Sequence, residues 1–239
     1  MGIANSISRL TDYYRRHGLV TTFRRAGLAV KRAVFANRMV VFYCDLAGQL
    51  TSAVVLPSSL TMDRLRSEAE LRGPDLLAMT RFWNPKQAHR NIRERFELGA
   101  SLWLIKSEDQ LAGYGWSLQG RTVEPYYFPL GKDDIHLFDF HVFPQYRGRG
   151  INPLLVTQIL HNLGAANCGG RAFIEAAEWN EAQLSSLRKT PFRQLGLARP
   201  FSIFGRAFVS WKGNITPQQT VGDLERKDVP AAVGRPPGE

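Results

Sequence analysis

"HVFPQYRGRGINPLLVTQIL", residues 141–160, carries a strand-like run into Pro144, then two glycines set among arginines, then an apolar helical run. Backbone N–H groups left open at a helix start, with the positive end of the helix dipole behind them, bind phosphate oxygens. Glycine lets the main chain approach a ligand without a Cβ in the way. Gly148 and Gly150 supply that geometry, and Arg147 and Arg149 add attraction at longer range, so the stretch reads as a pyrophosphate cradle. Two other phosphate loops do not fit. A P-loop needs Lys-Ser/Thr after its last glycine, where Ile151-Asn152 stands, and a dinucleotide fingerprint needs a third glycine where Pro153 stands.

On the N-terminal side of the cradle, "DIHLFDFHVFP" reads as the strand that feeds it, and "SLWLIKSEDQLAGYGWSLQG" as two strands about the polar turn Ser107 to Gln110. Before these, "TMDRLRSEAELRGPDLLAMTRFW" and "PKQAHRNIRERFELG" read as helices, with breaks at Gly73-Pro74 and Asn84-Pro85. "MVVFYCDL" and "AVVLP" read as a hairpin about a turn containing Gly48. On the other side come a helix, the strand "RAFIEAAEW", a helix from "NEAQLSSLRK" and a final strand "FSIFGRAFVSW". The order β-β-α-α-β-β-β-α-β-α-β predicts one mixed α/β domain with helices on both sides of a sheet.

The chain has 239 residues, 44% hydrophobic and 22% charged, which suits one well-buried domain with extensions and excludes wholesale disorder or a fibrous fold. No apolar run reaches membrane-spanning length, and Arg9, Asp12, Arg15 and Arg16 interrupt the N-terminus where a secretory segment would be apolar; the expectation is a cytoplasmic protein. Cys44 and Cys168 lack metal spacing and read as buried thiols of a reducing compartment. Of the net charge of +10, most lies in residues 1–38, where eight Arg and Lys face Asp12 alone. This segment reads as two basic amphipathic helices, in the second of which Phe23, Ala26, Val30 and Val34 share a face. It suits either peripheral contact with an anionic membrane surface or packing on its own domain. Nucleic acid is disfavoured because no recognition motif accompanies the charge. After Trp211 the composition turns to Pro, Gly and charge, so the organisation reads as a basic extension (1–38), a folded domain (39–212) and a disordered tail (213–239).

The cradle resembles the acetyl-coenzyme A site of the GNAT N-acetyltransferase superfamily, whose signature is Gln/Arg-x-x-Gly-x-Gly/Ala after a strand ending in Val-x-Pro. Here Val142-Phe143-Pro144 leads to Gln145, Gly148 and Gly150 in that register. In the overlapping register from Arg147, Asn152 stands where Gly or Ala is usual. "FIEAAEWNEAQLSSL" resembles the next strand and helix of the family, with Glu175 five residues before Asn180, and "FRQLGL" resembles the Phe/Leu-Gly-Phe ending. The likeness spans residues 39–212 and implies the GNAT fold, a central mixed, mostly antiparallel sheet flanked by helices on both faces.

It also implies acetyl-CoA as acyl donor, without a metal, held by Phe140, His141, Val142, Gln145, Arg147, Gly148, Arg149, Gly150, Ile151, Asn152 and Asn180. A splayed strand at Phe140 to Val142 would offer backbone N–H to the thioester carbonyl. Glu175 is the first choice as base. Asp139 and His141, which regular alternation puts on one face of the preceding strand, are the alternatives, and the same alternation turns His136 away from both. Asp134 lies where other branches of the family carry their base, but beside Asp133 it reads as part of an exposed turn. The tyrosine that the family usually places seven residues after the Asn is Leu187 here; Tyr114, Tyr126, Tyr127 or Tyr146, or solvent, would have to protonate the thiolate. The acceptor side would involve Arg81, Trp83, Asn84, Tyr126 and Phe201. The implied function is acyl-CoA-dependent N-acetylation of a small-molecule amine such as an amino sugar or sugar nucleotide. A protein N-acetyltransferase and a catalytically impaired acyl-CoA-binding protein of the same fold are the alternatives.

Overall fold

Strands β3 (Ser101–Ser107) and β4 (Gln110–Gln119) are buried along almost their whole length, so both of their faces are covered. They are joined through Glu108 and Asp109, both with left-handed backbone (φ 49° and 64°), a two-residue turn whose twist matches that of the strands. The computed structural model describes residues 38–47, 55–81, 84–123, 126–166, 170–203 and 206–213. The basic helices expected in the N-terminal extension, the Gly48 turn, Trp83, Cys168, the Phe201 side chain and the C-terminal tail lie outside the described residues.

Eight strands form one sheet in the order β2-β3-β4-β5-β6-β1-β7-β8. The others are β1 (Met39–Asp45), β2 (Leu60–Leu65), β5 (Ile135–Val142), β6 (Arg171–Ala177), β7 (Arg193–Ile203) and β8 (Arg206–Lys212). Every neighbouring pair is antiparallel except β5 with β6. The helices are α1 (Gly73–Thr80), α2 (Pro85–Glu97), α3 (Ile151–Ala165) and α4 (Glu181–Leu187), and they flank the sheet on both faces. Pro74 and Pro85 stand in the first turns of α1 and α2, where a missing N–H costs nothing, so both prolines start helices.

Two expectations about the first strands fail. β1 does not form a hairpin with its successor: it pairs with β6 and β7, and residues 55–57 are not strand. Its residues are apolar on both faces, with Phe42 and Cys44 facing the main core and Val41 facing Phe173, Leu195 and Ala198, which suits an interior strand. The second error lies at Leu60–Leu65, expected in part as helix. It is an edge strand on β3, with Arg64 over the Trp103 ring at 4.8 Å and Asp63 paired to Lys106 at 3.1 Å. Cross-strand partners decided that segment, and its local pattern did not reveal them.

The buried Lys106 ammonium also meets Asp75 of α1 at 2.9 Å, which fixes α1 to the sheet. Asp134 is likewise buried, correcting the expectation of an exposed turn. It accepts from the Gly131 and Arg171 backbone N–H groups at 2.8 and 3.0 Å and so pins the entry of β5 to that of β6. Burial first, and Asp45 second, push the Cys44 thiol up to about 11, so it is a packing residue and not a nucleophile.

Between Tyr114 and Trp116 the β4–β5 register shifts, and Asp139 has φ 50°: a bulge sets Asp139 and Phe140 against Gly115. A Cβ on Gly115 would lie 2.4 Å from the Phe140 ring. Gly115→Ala is therefore expected to destabilise the domain by about 1–3 kcal/mol through overpacking. The midpoint of a thermal or urea melt measures this, and an unchanged midpoint would show that the ring does not press on that position.

Candidate active site

The parallel ladder between β5 and β6 holds only at Ile135↔Ala172 and His136↔Phe173. Beyond His136 the two strands part, so the backbone of residues 138–142 has no strand partner on the β6 side, and the bulge frees a further residue from β4. Immediately after β5, a 3-10 turn (Pro144–Tyr146) and residues Arg147–Gly150 lead into α3. Gly148 and Gly150 both have left-handed backbone (φ 77° and 75°), and nothing lies within 4 Å of where a Cβ would stand on either. The main chain thus presents an open concave surface at the start of a 15-residue helix.

A cleft of about 430 Å³ opens over this surface, between the start of α3 and α4. Of the residues the family resemblance implicates in cofactor binding, Val142, Arg147, Gly148, Gly150, Ile151, Asn152 and Asn180 line it. The other four do not. Phe140 packs against Gly115, His141 lies against Tyr114 (5.6 Å between rings), Gln145 is exposed, and Arg149 rests over the Tyr146 ring at 5.8 Å. Arg147 Nε donates to the Val142 carbonyl at 3.0 Å and so braces the strand end against the loop. Asn180 caps α4 by accepting from the Gln183 N–H at 3.3 Å. Tyr146 and Ser186 also line the cleft. The Tyr146 hydroxyl donates to Gln110 at 3.2 Å, and Leu187 is fully buried.

A second cavity, of about 280 Å³, lies between α1, α2 and the sheet, lined by Met79, Asn84, Gln87, Ala88, Asn91, Ile92, Arg95, Tyr114 and Asp139. Its α2 residues follow helical spacing, which puts the carboxamides of Asn84, Gln87 and Asn91 and the Arg95 guanidinium along one stripe. Of the acceptor-side residues expected from sequence, Asn84 lines this cavity, whereas Arg81 does not and Tyr126 lies against His136. Sequence reading missed Gln87, Asn91 and Arg95, although their spacing on a Pro-initiated helix was the available signal.

The bulge also overturns the alternation expected along β5. His136 stacks on Phe138 at 5.2 Å and Phe138 on Trp116 at 6.4 Å; Arg95 lies over both Phe138 and Trp116 while its guanidinium pairs with Asp139. Tyr114, two residues before Trp116 on β4, stacks on His141. His136, Asp139 and His141 therefore all turn to the α2 side, because the extra residue reverses the phase of the strand. Burial, and next the Arg147 guanidinium, hold the His141 imidazole below its ordinary value of 6.5, against a smaller opposing effect of Asp139. Glu175 projects to the same side of β6 and meets His136 Nε2 at 3.0 and 3.2 Å. Among the described residues no group of three His, Cys, Asp or Glu could hold a metal ion, and no helix is long and apolar enough to cross a membrane.

The model of the acetyltransferase (GNAT) family matches residues 67–189, just over half of the chain. Among curated proteins there is no match. Among solved structures, the chain is similar to a GNAT-family acetyltransferase from Colwellia psychrerythraea (14% identity, TM-score 0.46, covering 66% of this chain and 52% of that one). It is also similar to a GCN5-related N-acetyltransferase from Sphaerobacter thermophilus (15% identity, TM-score 0.44, covering 74% and 51%). The chain spans about half the length of these two structures. With the parted strands and the cradle in the matched region, the chain belongs to the GNAT acetyltransferase family.

Proposed function

We propose that the protein transfers an acetyl group from acetyl-CoA to a primary amine of a small molecule. The observation that carries this reading is the placement of two cavities along one strand. Asp139 lines the cavity under α2, and Val142, three residues on, lines the cleft over the glycine cradle. Donor and acceptor can thus meet at the bulge.

Acetyl-CoA supplies an activated acyl carbon: the amine forms the new C–N bond, the C–S bond breaks, the thiolate leaves with the electron pair, and the amine proton passes to a base on the protein. The Gly148–Gly150 main chain and the first turn of α3 receive the pyrophosphate. As the family resemblance implies, backbone N–H groups of the Phe140 to Val142 segment, which has no strand partner on the β6 side, would face the thioester oxygen. Asp139 is already paired with Arg95, which suits it to orient an ammonium group better than to take a proton from it. Glu175 takes the proton: its side chain is 19% exposed where β5 and β6 part, on the acceptor side of the sheet. His141 is the second candidate, favoured by an imidazole that is neutral at pH 7 and lies on the strand segment between the two cavities.

The acceptor we favour is an amino sugar. Carboxamides both donate and accept, as hydroxyl groups do, and the cavity lies just below the roughly 300–1,000 Å³ of drug-sized ligands. A sugar nucleotide would need unpaired cations for its phosphates, and Arg95, the only cation lining the cavity among the described residues, is paired. Leu187 favours one other reading, a protein that binds the thioester without turning it over.

Gly148→Glu, which puts a carboxylate into the cradle, is expected to weaken acetyl-CoA binding by at least about tenfold, or about 1.4 kcal/mol. Calorimetric titration measures this, and undiminished affinity would move the phosphates elsewhere. Asn91→Leu should raise KM for glucosamine while leaving acetyl-CoA binding unchanged; equal KM values would remove the acceptor from the α2 cavity. The folded state binds a proton at His141 less readily than the unfolded chain. Stability from this group is therefore present above pH ~6.5 and lost as pH falls through the lowered folded value. Melting temperature should fall with acidification over that range, and His141→Gln should flatten the fall. If His141 is also the base, kcat/KM will lose an acid limb in the same variant; if that limb persists, Glu175 keeps the role.

A further inference from the structure

Glu175 does not stand alone. His136 and Phe173 are direct partners across the short parallel ladder, and Glu175, two residues beyond Phe173, projects from the same face of β6. The His136 Nε2 atom lies 3.2 Å from one carboxylate oxygen of Glu175 and 3.0 Å from the other. An ionised carboxylate only accepts, so Nε2 carries the hydrogen, which is shared between the two oxygens. The second ring nitrogen, Nδ1, is buried and has no hydrogen-bond partner among the described residues.

The imidazole is clamped on two sides. Phe138 stacks on it with ring centroids 5.2 Å apart and 19° between planes, and Tyr126 packs at 4.9 Å and 58°. The Tyr126 hydroxyl is also buried and stands beside the Glu175 carboxylate. Burial first, and the neighbouring Glu175 carboxylate second, push this phenol well above 10, so it stays protonated and adds no second anion to the cluster. His136 Nε2 reaches both carboxylate oxygens of Glu175, while the Tyr126 hydroxyl interacts with the same carboxylate from within the aromatic surround, so His136 is the donor that spans the pair.

Exposure sets the order of the pair. The His136 side chain is 7% exposed and that of Glu175 19%, so the carboxylate is the outer member and the imidazole stands behind it. The ring sits at the last paired position before the strands part. A group held there keeps its place relative to both strands, and through Glu175 it would hold the base relative to the gap.

Building on the assignment of Glu175 as base, we propose that His136 is a positioning residue of the acyl-transfer site, holding the Glu175 carboxylate toward the gap between β5 and β6 through its Nε2–H. The imidazole touches neither substrate. Tyr126 acts on the same unit from outside, as the lid of the aromatic box that prevents the ring from turning. Any hydrogen-bond donor of the right reach in place of Nε2–H should therefore do most of the work, and an apolar residue of similar bulk should not.

The test uses the full chain with acetyl-CoA and glucosamine, reading the released thiol, and compares the wild type with His136→Leu, His136→Gln and Glu175→Gln. Glu175→Gln should lower kcat by at least about 10²-fold. His136→Leu should lower kcat by about tenfold or more, a fraction of what a positioned base contributes, with KM for acetyl-CoA unchanged. His136→Gln, whose amide nitrogen replaces Nε2–H, should recover to within a few-fold of the wild type. A wild-type kcat in a folded His136→Leu variant, with Glu175→Gln inactive, overturns the positioning role alone. A wild-type kcat in Glu175→Gln overturns the assignment of the base as well.

A second measurement needs no turnover and decides the matter if glucosamine is not acylated or if His136→Leu does not fold. The ¹⁵N signals of the His136 ring in the wild type should show one tautomer, with hydrogen on Nε2 and Nδ1 bare. In Glu175→Gln that single-tautomer signature should be lost. Identical spectra in the two proteins would mean that the carboxylate and the ring are not coupled, and the proposal would fall.

Discussion

One extra residue in β5 governs the arrangement around the site. At Asp139 the strand takes a left-handed turn of backbone and sets two residues against Gly115, which β4 can allow only because that position has no side chain to collide with the Phe140 ring. The ladder between β5 and β6 ends at His136, just ahead of the bulge, and residues 138–142 have no strand partner on the β6 side. The bulge also shifts the phase of the strand, so that His136, before the bulge, and His141, after it, face the same side. Without the bulge, one of the two would turn into the opposite face of the sheet.

The charges near the gap are arranged as pairs, and the pairs differ in kind. Asp139 is matched to a guanidinium that is itself spread over two aromatic faces, an arrangement that fixes α2 against the sheet. Glu175 is matched to an imidazole boxed in by Phe138 and Tyr126. An imidazole leaves a carboxylate able to accept a proton far more readily than a guanidinium does, since Arg remains charged at any working pH. Two carboxylates on neighbouring strands thus differ in the kind of partner they meet.

What could be read from the sequence was what depends on local geometry. The cradle was legible because Gly148 and Gly150 have to meet a backbone requirement that few other residues can, and the interval from Glu175 to Asn180 places a strand carboxylate and a helix cap in one unit. Alternation along β5 was legible only up to Asp139. A bulge leaves no signature in the residue that carries it; the signal lay across the ladder, in a glycine of β4. The position of β1 was hidden for a related reason. "MVVFYCD" shows that both faces of that strand are buried, but not that its neighbours are β6 and β7, which lie more than 120 residues away in the chain. His136 was assigned to the wrong side because its place depended on the bulge.

The two departures from the family signature, Asn152 and Leu187, come together in the structure. Asn152 uses its amide to donate to Ser186 Oγ at 2.8 Å, which ties the first turn of α3 to the last turn of α4. Leu187, the next residue, is buried without any exposure in the same core as Leu155 and Leu184. A tyrosine at 187 would have to place its hydroxyl in this apolar packing or push α4 outward, and pushing it outward would stretch the Asn152–Ser186 bond. A glycine or alanine at 152 would remove this polar tie between α3 and α4. The pair of changes therefore fixes α4 as a wall of the cleft over the glycine loop, through a polar and an apolar contact on adjacent residues.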